Sequence, residues 1–546
     1  MAILGFQLVS TLIGVSLLTK LSAHFSFTKA LVFGGLYRCL LPSDKEILEC
    51  AGLTKVKSKG KRSNGATHGN GENAETFHFP RTTPITLRKS SIHLHDIAVL
   101  PFYTELVWLV DFTVCALFVL FVNDAVSFTR QAYLNTMNSG RSTSITNSMH
   151  GFFAPSTINL NLVWSLFIVW FALSSLFSLF RVYIGSGENT QADKDRPEQL
   201  NPVASEWPLL LFIVFSTFVA AMLFLSLDTT FLDLRMAPAY GNLTFSLTEG
   251  TPATHMISWG MFQTCLATFA SIVGLLFLYP SLQYGRVYVQ VLKSPDSSRL
   301  NYALFYLNLF APTFALLLWV IPLATHLSSL ILQRLGAVKI GGWFLSSVII
   351  LARALSPDHI PSVRLLVTLA AVTLRFAMTK RHMQAFLDTA QTRLDRLARE
   401  PGRTTNREVQ RIVASVFHCF NFAALQYLAP AVLLIGFTFS YKVSTGVGWI
   451  PIISSTSVYK TTSLNSNSSL SGVLEAFAGQ EWESIFTAPW FAALHQTREA
   501  FEGLWEAVRC QAGNVCSGVL GFTLFWCLAV WQGLAFTSLA YHRFIE

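Results

Sequence analysis

The chain has 546 residues, of which 52% are hydrophobic, only 13% are charged and 45 are phenylalanine. A soluble protein of this length carries about a quarter charged residues, so the composition excludes an ordinary water-soluble domain. The net charge of +9 does not indicate a nucleic-acid partner. The basic residues lie in short runs beside apolar segments of membrane-spanning length, as in cytoplasmic loops.

In chain order, nine segments pass the test for a transmembrane helix, which requires roughly 20 mostly apolar residues. They are Ala2–Thr19, Thr104–Asn123, Asn159–Phe180, Trp207–Leu227, His255–Pro280, Asn301–Leu323, Pro361–Thr379, Ile412–Tyr441 and Ser517–Ala540. Two shorter apolar stretches, Phe25–Leu41 and Gly341–Leu355, are interpreted as interfacial or re-entrant pieces, with a tenth span as the alternative for each. The prediction is an all-α polytopic bundle of about nine spans, within a range of eight to ten.

The predicted layout alternates spans with loops of contrasting composition. It comprises a first span (1–20), a basic loop with a disordered insert (21–103), helices two to six (104–323), a loop (324–360), the seventh helix (361–379), a basic amphipathic loop (380–411), the eighth helix (412–441), an outer loop (442–516) and the ninth helix with a short tail (517–546). The first segment is kept as a span, not a cleavable signal peptide, because no basic region precedes its apolar run.

Two independent signals predict the same orientation in the membrane. Lysine and arginine accumulate in the first and seventh loops, which are both odd-numbered and therefore lie on one side. The N-x-[ST] acceptors, Asn242 and Asn467, fall in the fourth and eighth loops. The prediction is therefore an N-terminus outside, a C-terminus inside and glycosylation at both asparagines.

Both basic loops offer candidate contacts with anionic lipid of the inner leaflet. Lys55–Arg62 begins the insert Ser58–Ala74, and is interpreted either as a lipid contact or as a solvated cluster. In the seventh loop, apolar residues recur at helical spacing from Met383, with Arg393–Arg411 supplying the positive charge. This pattern predicts an amphipathic helix on the membrane surface, and a helix that docks a partner protein is the alternative.

Ionisable residues inside spans are candidate functional residues, because charge at membrane depth is costly unless it is paired or hydrated. Asp111 lies about 10 Å into the second span, with Glu105 nearer the interface. Arg375 lies about one turn from the same end of the seventh span. Asp111 and Arg375 are therefore expected either to pair or to remain apart, with Arg375 snorkelling and Asp111 protonated.

Two spans contain a proline four residues after an amide side chain. Asn308 precedes Pro312 in the sixth span, and Gln426 precedes Pro430 in the eighth. A proline inside a helix frees the carbonyl four residues earlier, and broken helices with polar groups at depth can line transport sites. The pattern predicts kinks at both prolines, either locally satisfied or forming a transport site.

The chain lacks the sequence patterns of catalysis. It has no H-E-x-x-H, G-x-S-x-G, phosphate-binding loop or kinase motif set, so no enzymatic activity, metal or cofactor is expected. Cys510 and Cys516 are candidates for a disulfide only if their loop is extracytoplasmic.

Short strings spread along the whole chain resemble the transmembrane protein 161 family of animals. They include Gly5–Val9, Trp108–Val114, Leu162–Trp164, Asn308 with Ala311–Pro312, Leu317–Val320, His382 with Gln384–Ala385, and Ala424–Tyr427 with Ala429–Pro430. The resemblance implies a multi-pass membrane protein without established enzymatic activity. It also implies a role in controlling potassium or calcium currents and cardiac rhythm, and in protection from oxidative stress.

Two functional hypotheses follow. In the first, the protein is a membrane regulator that packs against a partner channel, with the plasma membrane favoured over the endoplasmic reticulum. In the second, it is itself a transporter or channel that uses Asp111, Arg375, Asn308 and Gln426 around kinked helices. Convergence of these four side chains on a hydrated cavity would favour the second hypothesis.

Overall fold

The structure is a computed structural model that describes the greater part of the chain. The described residues are 6–24, 26–50, 77–83, 85–139, 160–185, 207–227, 231–234, 236–241, 258–293, 299–323, 326, 329, 360–449 and 490–545. The helices are α1 (Phe6–His24), α2 (Asp44–Cys50), α3 (Leu94–Ala98), α4 (Tyr103–Ser139), α5 (Leu160–Gly185), α6 (Trp207–Ser226), α7 (Trp259–Lys293), α8 (Arg299–Leu317), α9 (Ile360–Ala377), α10 (Thr379–Arg399), α11 (Asn406–His418), α12 (Phe420–Thr445) and α13 (Trp490–Ile545). The strands are β1 (Tyr37–Cys39), β2 (His78–Pro80), β3 (Lys89–Ser91) and β4 (Arg403–Thr405).

Each of the nine predicted segments contains a helix, namely α1, α4, α5, α6, α7, α8, α9, α12 or α13. Within the described residues, seven helical stretches are long and apolar enough to cross a membrane. They are Tyr103–Thr129, Leu160–Ile184, Trp259–Leu292, Arg299–Leu317, Ile360–Ala377, Asn406–Thr445 and Val515–Phe544. The described apolar parts of α1 and α6, Leu8–Leu17 and Leu210–Ser226, are shorter. A multi-pass helical bundle is therefore present.

Helix α12 forms the centre of the bundle. Every residue from Phe420 to Tyr441 is buried, as expected for a helix that is apolar on all sides. It packs against α4, α5, α7, α9, α10 and α13. It packs closely against α5 at Gly436, where an added Cβ would lie 2.7 Å from Val169 Cγ2. The other helices also pack against one another. Helix α1 packs against α4, α8 packs against α9, and α7 packs against both α6 and α13.

Helix α7 extends further than the sequence indicated. The predicted fifth segment ended at Pro280, whereas α7 continues through this proline to Lys293. Proline removes one backbone donor, but packed neighbours and hydroxyl side chains can satisfy the nearby carbonyls of a membrane helix. The Ser281 hydroxyl donates to the carbonyl of Phe277 at 2.7 Å, and α13 packs along α7.

The two basic loops form one folded layer at an end of the bundle. We call residues 26–50, 77–98 and 379–418 the basic layer. Two small antiparallel sheets, β1–β3 and β2–β4, hold it together, and β2–β4 joins the first basic loop to the seventh. Phe79 of β2 is fully buried beside Ile47, Leu394 and Val409. The all-α prediction therefore holds for the bundle but missed these sheets.

This layer bears on two predicted surface pieces. The stretch Phe25–Leu41 contains a π-helical turn, Lys29–Phe33, followed by β1, so its alternative interpretation as a tenth span is wrong. Helix α10 is amphipathic as predicted, but its apolar residues Met383, Phe386 and Leu387 are buried in the main protein core. The prediction that this apolar face lies in the membrane surface is wrong, because the chain's own elements cover it.

Several predicted features lie outside the described residues. They are Lys55–Arg62, Ser58–Ala74, Gly341–Leu355, and the acceptors Asn242 and Asn467. Cys510 and Cys516 both lie in α13. Six residues of helix separate their Cα atoms by about 9 Å, which is beyond the reach of a disulfide.

Candidate intramembrane polar site

Helix α9 carries two buried arginines, Arg364 and Arg375. Eleven residues correspond to three helical turns and about 16 Å, so both lie on one face of α9 near opposite ends. The sequence analysis singled out Arg375 and missed Arg364. Their three-turn spacing on one helix face was the signal that would have indicated both.

Arg375 is enclosed by aromatic rings. Its Cζ lies 4.0 Å from the ring centroid of Trp531, 4.5 Å from that of Tyr427 and 4.8 Å from that of Tyr284. Its Nε and Nη2 donate to the carbonyl of Tyr427, both at 3.3 Å. The Tyr427 hydroxyl donates in return to the Arg375 carbonyl at 2.9 Å. We call these four residues the arginine cage.

The carbonyl that receives Arg375 lies three residues before Pro430. A proline ring crowds the preceding turn, which loosens the hydrogen bonds of that turn as well as removing one donor. The sixth predicted span repeats the pattern, because Gln532 Nε2 of α13 donates at 2.8 Å to the carbonyl of Leu309, three residues before Pro312. Both prolines lie inside their helices. In each case a polar side chain from another helix binds the carbonyl next to the one predicted to be free.

Asn308 and His382 lie beside the arginine cage. Asn308 Nδ2 donates to the Tyr284 hydroxyl at 3.4 Å. The His382 ring stacks on Tyr427 with centroids 4.3 Å apart. Burial, and then the charge of Arg375, lower the pKa of His382 well below its ordinary value. His382 is therefore uncharged at neutral pH, and Arg375 carries the positive charge of the cluster.

The other predicted site residues lie elsewhere. Gln426 Nε2 donates to the Tyr183 hydroxyl at 2.8 Å. Glu105 accepts a hydrogen bond from Ser178 Oγ at 3.1 Å. Asp111 Oδ1 accepts from Thr28 Oγ1 at 2.9 Å and from its backbone N–H at 3.2 Å. Asp111 and Arg375 thus have separate partners, so the pairing alternative is wrong. Only Asn308 and Arg375 come together.

Arg364 has a carboxylate partner, unlike Arg375. Its Nη2 lies 3.2 Å from Asp233 Oδ2 and donates to the Leu318 carbonyl at 3.1 Å. Its Cζ stacks 3.9 Å from the centroid of the Trp319 ring. The segment that carries Asp233 is held in place by backbone hydrogen bonds, including Asp233 N–H to the Trp319 carbonyl at 3.2 Å. Within the described residues, no ion pair links a carboxylate to Arg375.

A second polar region that the sequence analysis missed joins α4 to α5 and α12. Asp124 forms an ion pair with Lys442 and accepts from the Trp449 indole N–H at 2.8 Å. Next to it, Asn123 Nδ2 donates to Asn161 Oδ1 at 2.8 Å. Asp124 lies one residue beyond the predicted second span. Because only ionisable residues inside a span were candidates, its charge did not mark it as a functional residue.

These features define a polytopic α-helical membrane protein in which several buried polar side chains form hydrogen bonds between helices. The chain belongs to the family described as predicted transmembrane protein 161AB, whose family model matches residues 2–140 and 143–546. The resemblance of the short sequence strings is therefore confirmed. No solved structure matches the chain.

Proposed function

We propose that the protein is a non-enzymatic regulator of membrane ion currents, potassium or calcium, that packs against a partner channel and does not itself conduct. The observation that supports this proposal is the burial of the arginine cage and of the neighbouring amide side chains. Arg375 is 6% exposed, Asn308 4% and Gln426 2%. A transport pathway requires its polar groups to reach water or the transported species. In this chain those side chains bind neighbouring helices instead.

The rival function, transport by the chain itself, required four polar residues to converge. Asp111 binds Thr28, Gln426 binds Tyr183, and only Arg375 and Asn308 share a neighbour, Tyr284. This separation supports a regulator over a transporter. The missing catalytic motifs support a role without chemistry of its own.

The proposal includes an orientation, with the N-terminus outside, the C-terminus inside and the basic layer in the cytoplasm of a plasma-membrane protein. The distribution of basic residues and glycosylation acceptors supports it. Exposed arginines of the basic layer are candidate contacts for anionic lipid, together with Lys55–Arg62. They are Arg396, Arg399, Arg403, Arg407 and Arg411.

Glycosylation mapping tests the orientation. Both acceptors would face the lumen or the outside, so each should carry one glycan that glycosidase removes. We expect Asn242→Gln and Asn467→Gln each to reduce the glycosidase-induced shift in gel mobility by the equivalent of one glycan. The same bands on the wild-type protein before and after glycosidase serve as the control. If the wild-type protein had the same gel mobility before and after glycosidase, this orientation would be contradicted.

Flux measurements test the function. We expect purified protein in liposomes to pass no potassium or calcium, while its expression alters the currents of a host cell. Asp111→Asn is the diagnostic variant, because the transporter hypothesis requires its carboxylate at membrane depth. If the purified wild-type protein passed ions robustly and the Asp111→Asn variant did not, the regulator hypothesis would be rejected in favour of the transporter hypothesis.

A further inference from the structure

The π-helical turn Lys29–Phe33 lies where the bundle meets the basic layer. Thr28, just before the turn, binds Asp111, about 12 Å from the start of α4. Phe33, at the end of the turn, stacks on Tyr103, the first residue of α4, with ring centroids 6.4 Å apart. The turn therefore runs alongside the first helical turns of α4.

This part of α4 lies at the level of the phospholipid headgroups. The span Tyr103–Thr129 has 27 residues and is about 40 Å long, whereas the hydrocarbon core is about 30 Å thick. Trp108, which is 68% exposed, lies in the second turn of α4, as is typical of tryptophans at the membrane–water interface. At the same end of the bundle, α9 ends at Ala377 and α10 begins at Thr379.

Three exposed cations come together at this level. They are Lys29 in the π-helical turn, and Lys380 and Arg381 in the first turn of α10. A Cβ at Gly34 would lie 3.3 Å from Lys380 Nζ and 3.3 Å from the carbonyl oxygen of Lys29. The ammonium group of Lys380 therefore lies beside the backbone that carries Lys29. We call Lys29, Lys380 and Arg381 the boundary cations.

The boundary cations have no carboxylate partner among the described residues. Four other cations of the basic layer do have one, in the pairs Arg38–Asp96, Arg81–Glu400, Arg88–Glu46 and Lys89–Asp388. Positive charges held close together repel one another unless an anion lies between them. The described part of the chain does not supply that anion, and the boundary cations lie at the level where the membrane presents phosphate groups.

We propose that the boundary cations bind the headgroup of a phosphoinositide in the inner leaflet. Three positive charges without a carboxylate match a headgroup that carries several negative charges, and the ring phosphates of an inositol lipid supply them at the membrane surface. A phosphatidylserine headgroup carries less negative charge and would balance fewer of the cations. This site is distinct from the lipid contacts named above. It rests on the proposed orientation of the basic layer, but not on an effect on ion currents.

Binding of a short-chain phosphatidylinositol bisphosphate to the purified full-length protein in detergent micelles tests the site. Native mass spectrometry across lipid concentrations yields a Kd. We expect Lys29→Gln and Lys380→Gln each to raise this Kd about fivefold, because each removes one cation from the headgroup. Both side chains are exposed, so the variants should fold. Lys380→Arg keeps the charge and should stay within about twofold of the wild type.

Lys45→Gln is the matched control. Lys45 is also an exposed lysine of the basic layer, but it lies near the far end of α10, because its neighbour Ile47 packs beside Leu394. Leu394 is about 21 Å along α10 from Lys380. The Kd of Lys45→Gln should therefore stay within about twofold of the wild type.

Three results would overturn the proposal. Equal losses of affinity in Lys380→Gln and Lys45→Gln would show that binding depends only on the overall charge. Equal affinities for the phosphoinositide and for phosphatidylserine of the same chain length would exclude recognition of the inositol phosphates. If inositol trisphosphate, the free headgroup, bound as tightly as the lipid, the ligand would be a soluble phosphate. These measurements in micelles do not depend on the orientation, which glycosylation mapping tests separately.

Discussion

Arg364 and Arg375 are the same residue type on the same face of α9, yet the protein accommodates their charges in different ways. Arg364 lies 3.2 Å from the carboxylate of Asp233. Arg375 lies among three aromatic rings and a carbonyl next to a helix proline. A buried charge can thus be balanced by one ion or by several oriented dipoles and ring faces. The second arrangement fixes more helices, because its partners come from α7, α12 and α13.

The largest effect that separates the two sites should come from Asp233→Asn. This change leaves the charge of Arg364, which is 1% exposed, without its carboxylate, and should lower the free energy of unfolding by about 3 kcal/mol. Titration with SDS in mixed micelles measures it. Asp111→Asn is the control, because an amide oxygen can still accept from Thr28, and its cost should stay below about 1 kcal/mol. Equal costs for both variants would show that the carboxylate of Asp233 does not balance Arg364.

Arg375→Lys should show how far the arginine cage depends on a flat guanidinium. Lysine keeps the charge but loses the planar stacking and the paired donors, so we expect a cost of about 2 kcal/mol in the same titration. Arg381→Lys is the control, since Arg381 is exposed, and it should change stability by less than about 0.5 kcal/mol. If the two substitutions were equivalent, the cage would act only through charge.

Tyr427→Phe removes one hydrogen bond of the cage and leaves its ring. The hydroxyl donates to the Arg375 carbonyl at 2.9 Å, so the expected cost is about 1 kcal/mol. Tyr288→Phe is the matched control, because the buried Tyr288 hydroxyl has no hydrogen-bond partner, and its removal should be neutral or stabilising. A greater loss of stability in Tyr288→Phe would contradict this assignment.

The smallest effect should appear as a pH dependence. His382 has a folded-state pKa well below its ordinary value of 6.5, so the unfolded chain binds a proton first as the pH falls. Stability is retained above about pH 6.5 and is lost below it, by about 0.7 kcal/mol between pH 7 and pH 6. His382→Gln should remove this component from titrations at the two pH values, while His418→Gln, at an exposed position, should retain it. An unchanged pH dependence in His382→Gln would exclude His382 as its source.

The sequence predicted the membrane helices well because hydropathy over about 20 residues is a strong signal. It could not predict the continuation of α7 past Pro280, because the compensating contacts come from Ser281 and α13. The three-residue strands were missed for a similar reason, since each pairs with a partner far along the chain. For the candidate site, charge at membrane depth indicated Asp111 and Arg375, and the position four residues before a helix proline indicated Asn308 and Gln426. Neither signal gives the direction of a side chain around its helix, which is why Asp111 and Gln426 proved to face other neighbours.

The pairing of β2 with β4 has a consequence for biosynthesis. Phe79 lies opposite Thr404, about 325 residues later in the chain. At a synthesis rate of about 5–20 residues per second, the first basic loop waits on the order of 15–65 seconds for its partner strand to leave the ribosome. During that time the apolar Phe79 has no sheet to complete. The sheet can form only after α1 to α10 have been synthesised, so the basic layer is completed late in biosynthesis.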